Sequence, residues 1–144
     1  ANNAVFATVN AKDVTVGYID VQKGVEVDKE QVLEWNPDLI VLDASNLGLV
    51  ENEYAEDPAF FESLNAVKNG ELYQWPNSTS NYTNVEIPLV NAYYIGSVMF
   101  PEAFADVDFE TKAEEIFRFF LGHDGYLSVL NNAGMGYGSV VLGK

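Results

Sequence analysis

The chain contains no cysteine, and that one absence removes disulfide bracing, thiol catalysis and zinc–thiolate sites together. Basic residues are scarce too. Seven Lys and Arg stand against 22 Asp and Glu, for a net charge of −15. A nucleic-acid-binding surface needs clustered Lys and Arg, and an anionic membrane surface attracts the same residues. Neither is expected as a partner. The balance suits a chain held apart from its copies by repulsion, or one that meets a basic partner. The single histidine, His123, has no second ligand or catalytic side chain at useful spacing and reads as structural or solvent-facing. No G-x-S-x-G turn presents a nucleophilic serine. No apolar run approaches the roughly 20 residues that span a bilayer. Ala1 to Val9 lacks the charged start and long apolar centre of a signal peptide, so an export signal is expected outside this sequence.

What is present is enough for a real core: 144 residues, 48% of them apolar, read as a single domain over 1–144. Residues 1–24 are poorly assigned. Ala4 to Val9 suits a helix end or a strand, and Val14-Thr15-Val16 suits a short strand. The chain is organised around Val25 to Ala44, VEVDKEQVLEWNPDLIVLDA. Asp28 is placed to cap a helix and Gln31, three residues on, to reach back to it. Asn36 suits a left-handed helix exit, and Pro37 cannot continue the helix. Leu39 to Leu42 is uniformly apolar, as in a central strand of a parallel sheet covered on both faces. Asp43 to Asn46 then falls at the strand's carboxyl end, where open α/β sheets bind ligands.

Asn46 to Glu56 is polar and acidic and reads as an exposed loop with solvated carboxylates. Asp57 caps a helix beginning at Pro58, Asn69-Gly70 turns the chain, and Glu71 to Trp75 forms a second strand ended by Pro76. The stretch Asn77 to Asn84 carries hydroxyls, amides and Tyr82 but no aliphatic residue. If the two strands are parallel, it emerges beside Ser45 and Asn46. That makes Ser45, Asn46, Trp75, Asn77, Ser78, Asn81 and Tyr82 the candidate ligand-binding residues. The amides and hydroxyls would hold a polar chelate, and Trp75 and Tyr82 would stack on it. Trp75 suits plain core packing better still, and Tyr82 suits a plain surface position equally well. Pro88 to Phe100 is apolar nearly all round, as in a deeply packed helix. Asp108 caps an amphipathic helix with Phe109, Ala113, Ile116, Phe117, Phe120 and Leu121 on one face, closed by Gly122. A short helix follows from Tyr126. Gly134 to Gly138 is glycine-rich, has no helix after it to hold a phosphate, and reads as a flexible terminal segment.

These segments also carry a resemblance. Asp28 to Asp43 follows a D-x-E-x-V-L-x-W-N-P-D-L-I-x-x-D pattern. Asp57 to Tyr73 is closely similar to D-P-x-F-x-x-L-x-A-V-K-N-G-x-V-Y, with one residue more before Leu64 and Leu72 in place of the valine. PLVNAYYIGSVMFPEAF and FETKAEEIFRFFLG continue the likeness to the end. From about Val25 onward the chain resembles the C-terminal half of the substrate-binding proteins of ABC importers for iron–siderophore, haem and cobalamin. The resemblance implies an α/β fold with a small, mostly parallel sheet flanked by helices, a three-layer α/β/α lobe. It implies an extracytoplasmic, non-enzymatic protein with no intrinsic cofactor. The ligand would be a ferric chelate, haem or cobalamin, held between this lobe and a missing N-terminal lobe. The partner would be an ABC permease, met by an exposed carboxylate for which Glu86 lies at about the expected place. Two other readings stay open at this point: a small flavodoxin-like or nucleotide-binding enzyme domain, and a stand-alone protein-interaction module.

Overall fold

A computed structural model of the chain describes residues 3–18, 26–77 and 84–144. These fall into two compact units. One is formed by Val14–Trp75 with Gly138–Lys144, the other by Asn2–Asp13 with Pro76–Tyr137.

The first unit holds the sheet. Its opening helix, α2 (Lys29–Trp35), follows α1 of the other unit (Ala4–Thr8) in chain order. The Asp28 carboxylate accepts the Gln31 N–H at 2.7 Å, as its position predicts. The reciprocal half of the capping box is absent: the Gln31 amide donates instead to Glu34 at 3.1 Å. Asn36 does leave in the left-handed region, with φ 36°. Its Oδ1 accepts the Asn65 N–H at 2.9 Å, so the exit from α2 is tied to the start of a helix 29 residues away. Strand β1 (Ile40–Asp43) pairs in parallel with β2 (Leu72–Trp75), and β2 pairs antiparallel with the two-residue β3 (Gly138–Ser139). The α/β class and the helix-flanked small sheet are as expected, but the sheet is mixed, with one parallel pair.

Three elements differ from expectation. The order is β1-β2-β3, so among the described residues β2, not β1, is central. An apolar run reports covered faces; it carries no information on how many edges are paired. Among the described residues no strand forms near Val14. Val14–Gly17 is a turn, with the Tyr18 N–H on the Thr15 carbonyl at 3.1 Å, because three β-formers without a partner strand gain no ladder bonds. The third strand comes instead from the supposedly flexible glycine-rich end. The Val140 N–H bonds the Leu72 carbonyl at 2.7 Å, and Val140 and Leu142 are buried against Leu72.

The crossover between β1 and β2 is helical: α3 (Leu47–Glu56), α4 (Pro58–Ser63) and α5 (Asn65–Lys68). The expected loop over 46–56 is thus a helix. Leu47, Val50 and Tyr54, at i, i+3 and i+7, all pack on the sheet core, while between them Glu53 is exposed and the half-buried Glu51 accepts the Gly143 N–H at 3.2 Å. Asp57 caps α4 with Pro58 at its first position, as read from sequence.

In the second unit, α6 (Glu86–Met99) begins two residues earlier than its proline suggests. Pro88 lies in the first turn, where its missing N–H has no helical acceptor to lose. Ile87, Val90 and Ile95 are fully buried. Gly96 is required by a close approach: a Cβ there would stand 2.3 Å from the Phe104 ring. Helix α7 (Phe109–Leu121) is capped by Asp108, which accepts the Thr111 N–H at 2.9 Å, and closed by Gly122 at φ 77°. Bonds from Thr111 hold the Asp108 carboxyl below its ordinary pKa. Ala113, Ile116 and Phe117 are buried, but Phe120, placed inward by its spacing, is 44% exposed. It stacks edge-on with the exposed Phe119. Helix α8 (Tyr126–Asn132) starts at Gly125, which has no side chain to cap it. The Glu114 carboxylate of α7 supplies the acceptor, taking the N–H groups of Gly125 at 2.9 Å and Leu127 at 3.1 Å.

The most demanding polar contact in this unit is the Tyr137 hydroxyl, which donates to the Oδ1 of Asn91 at 2.8 Å. Asn91 is 2% exposed, and the Tyr137 ring packs on Tyr94 and Phe109. Burial, then the neighbouring Tyr94 and Tyr126, pushes the Tyr137 phenol far above its ordinary pKa, so it stays a donor. Removing the hydroxyl leaves a buried amide oxygen without its partner, which costs about 1–3 kcal/mol. Tyr137→Phe is therefore expected to lower unfolding free energy by that amount, with an unchanged denaturant slope, in urea titrations followed by circular dichroism. A change under 0.5 kcal/mol, roughly the scale of a surface substitution, would show that water replaces the phenol.

Candidate functional site

Parallel pairing in register brings the carboxyl ends of β1 and β2 level, with Asp43 opposite Trp75. The chain leaves β1 through a 3-10 turn, Ala44–Asn46, whose geometry is imposed by Asp43. One carboxylate oxygen, Oδ1, accepts both the Ser45 N–H at 2.9 Å and the Ser45 hydroxyl at 2.6 Å. Ala44 is buried beneath the turn, while Ser45 and Asn46 are exposed. The Ser45 hydroxyl has therefore committed its only proton, and what it offers outward is lone pairs. Asn46 makes no capping bond to α3, so its amide, with donors and an acceptor, is the more versatile outward group. Trp75 is half-buried. A fixed carboxylate at this turn also disfavours a phosphate, since Asp43 already occupies the backbone donor that would hold one.

The expected residues are distributed as follows. Ser45, Asn46 and Trp75 lie in the first unit at the carboxyl end of its parallel pair. Asn77 belongs to the second unit and is exposed. Ser78, Asn81 and Tyr82 lie outside the described residues. Glu86 requires a correction. It was expected to be an exposed carboxylate with no packing duty, yet it is only 9% exposed, in the first turn of α6. The polar residues before it suggested a surface approach. The helix starts earlier, so that Glu86 falls beside the buried Ile87 with its charge at the helix's positive end. Asp43 is the residue that sequence reasoning passed over. Its signal was available, an Asp two positions before a Ser at a strand exit, the spacing of an Asx turn.

His123 is exposed, its Nδ1 3.2 Å from the Asp124 carbonyl oxygen. Among the described residues no three His, Asp or Glu side chains come together to hold a metal ion. An open groove of about 540 Å³ between α7 and α8 is lined by Glu110, Glu115 and Asp124. The Glu114 at its floor is engaged in capping α8. Among the described residues no helix is long and apolar enough to cross a membrane.

No protein-family model matches the chain, and no curated protein matches it significantly. A solved structure does: the TroA-like periplasmic binding protein FepB from Veillonella parvula, at 21% identity and a TM-score of 0.56. The chain shares the fold of a periplasmic binding protein. The match covers 79% of this chain but only 36% of that one, so the chain spans about a third of the similar protein. At this identity the likeness speaks for fold alone. It agrees with the family resemblance carried by the Asp28–Asp43 and Asp57–Tyr73 segments.

Three substitutions test these assignments. Asp43→Ala removes the acceptor that organises the 3-10 turn and is expected to lower stability by about 1 kcal/mol, the usual cost of a lost helix cap. Ser45→Ala should cost clearly less, since the backbone N–H bond survives. Equal losses in urea denaturation would place the turn's stability in the hydroxyl rather than the carboxylate. Glu86→Ala is expected to cost about 0.5–2 kcal/mol, the range for a partly buried charge at a helix end. A stability indistinguishable from wild type would return Glu86 to a role outside folding.

Proposed function

We propose that the chain is one lobe of an extracytoplasmic substrate-binding protein for ABC-type import of an iron complex, a siderophore or haem, or of cobalamin. The observation that carries the reading is the shared fold with a periplasmic binding protein over 79% of the chain. The sequence resemblance adds the ligand class. On this reading Ser45, Asn46 and Trp75 at the strand ends supply ligand-binding groups of this lobe, and Asn77, Ser78, Asn81 and Tyr82 are further candidates carried by the sequence. A few polar groups fix orientation while aromatic faces provide contact area, the usual mix in ligand pockets.

The mechanism is clamping. A second, N-terminal lobe supplies the other half of the cleft, and a ligand that touches both favours the closed arrangement by its differential affinity. The closed form is what a permease engages, and a docking role for exposed acids such as Glu53, in place of the buried Glu86, belongs to the same proposal. Binding and release need no covalent step and no resident cofactor. The net charge of −15 suits a protein that stays dispersed while it meets a basic docking surface.

The test compares this 144-residue chain with the same chain joined to its upstream lobe, titrating ferric chelates, haem and cobalamin against tryptophan fluorescence. There are two tryptophans, Trp35 and Trp75, and a Trp75→Phe control assigns the signal. The single lobe is expected to bind weakly, with Kd above roughly 1 μM, which corresponds to about −8 kcal/mol, and the two-lobed protein more tightly. Sub-micromolar binding by the single lobe would show that half a cleft suffices. No binding of any of these ligands by the two-lobed protein would remove the ligand class.

A further inference from the structure

A second concavity lies in the first unit, away from the carboxyl ends of the strands. Side chains alternate along a strand, so Ile40 and Leu42 share one face of β1. With Val32 of α2, Val50 of α3, Phe61 of α4 and Leu72 of β2 they wall a cavity of about 220 Å³. Several of these walls are only half-buried. Ile40, Leu42, Val50 and Phe61 surround the buried cluster of Leu72, Val140 and Leu142 without closing over it.

Among the described residues, the charged groups lining the space are Lys29 and Glu53. The Lys29 Nζ is 3.8 Å from Glu53 and 3.3 Å from Asp57, and lies 5.0 Å from the centre of the Phe60 ring. All three charged side chains are between 44% and 61% exposed, which sets the cluster at the surface end of the cavity. Exposed pairs of this kind contribute about 0–1 kcal/mol, so the cluster is a weak gate rather than a seal.

Charge and size narrow the occupant. One ammonium between two carboxylates leaves the mouth with net negative charge, which opposes an anion. A cation would exchange its hydration for aliphatic walls, a costly transfer. What fits is a neutral apolar molecule. An engineered apolar cavity of about 150 Å³ in another protein stays dry and binds benzene or xenon, and this one is larger. We propose that the first unit carries an apolar binding site, walled by Val32, Ile40, Leu42, Val50, Phe61 and Leu72, for a neutral molecule the size of one alkyl-substituted aromatic ring. This site is separate from Ser45, Asn46 and Trp75, and it does not depend on the import function.

Toluene is the probe, added to the 144-residue chain below its solubility limit. Two readouts are used: thermal unfolding, and methyl NMR of the valine and leucine residues. Saturable shifts are expected at Val32, Val50, Leu72 and Leu142, together with a rise in Tm that grows with toluene concentration, as for any ligand of the folded state. Val50→Phe and Val32→Phe place a ring inside the cavity. Each is expected to weaken toluene binding by at least about tenfold, or 1.4 kcal/mol. Absence of methyl shifts and of a Tm change at the solubility limit would overturn the proposal. So would shifts confined to methyls elsewhere, or undiminished binding in both filled variants. Should a filled variant lack a cooperative transition, the methyl map of the unaltered chain decides alone.

Discussion

The parallel pairing of β1 with β2 is the constraint on which the first unit depends. Two parallel strands cannot be joined by a hairpin; the chain must cross over and return. Here α3, α4 and α5 fill the 28 residues between Asp43 and Leu72. That return is what turns polar, acidic sequence into helix, because backbone groups on the way back over a sheet must be satisfied internally. The same pairing fixes the register that sets Asp43 opposite Trp75. It thereby defines the one edge of the unit where loops leave strands side by side.

Within that frame the chain relies on local acceptors more than on ion pairs. Asp28, Asp43, Asp57 and Asp108 each take a backbone N–H at the start of a helix or turn. Glu114 does so across helices for Gly125 and Leu127. The salt bridges found among the described residues are exposed or partly exposed and add little. With 22 acids and seven bases most carboxylates have no cation to pair with. Using them as helix caps converts surplus negative charge into satisfied backbone donors. The acidity of the chain and its many short helices are thus compatible features.

The second unit solves a different problem. Its core is aromatic and aliphatic, yet Asn91 is carried inside it on the buried face of α6. A buried amide is tolerable only with a partner, and the partner arrives 46 residues later as Tyr137. Tyr137 is the last residue of this unit, and Gly138, the next residue, opens β3 in the other. One covalent step after closing the aromatic cluster, the chain completes the sheet. The glycine-rich stretch is therefore structural on both sides.

The sequence by itself determined the features that act within one turn of chain. The Asp28 cap, the left-handed Asn36, the Asp57-Pro58 start, the Asp108 cap and the Gly122 stop were all legible, because a side chain within three residues decides each backbone geometry. The α/β class followed from the same signals, and the segments resembling binding-protein lobes were readable as such. The tertiary structure alone decided which strand is central and what became of the tail. It also decided whether 46–56 was loop or helix, and whether Glu86 faced water. Burial and strand order depend on what packs from 30 or more residues away, and Leu39 to Leu42 looks the same at an edge as at a centre. Leu47, Val50 and Tyr54 had helical spacing in plain view, but the polar run Glu51-Asn52-Glu53 between them hid it until the sheet gave those three residues a surface to cover. Asp43 and Ser45 make a local turn that any sequence could write. Only the parallel register of β1 with β2 sets that turn level with Trp75 and makes the place a candidate site.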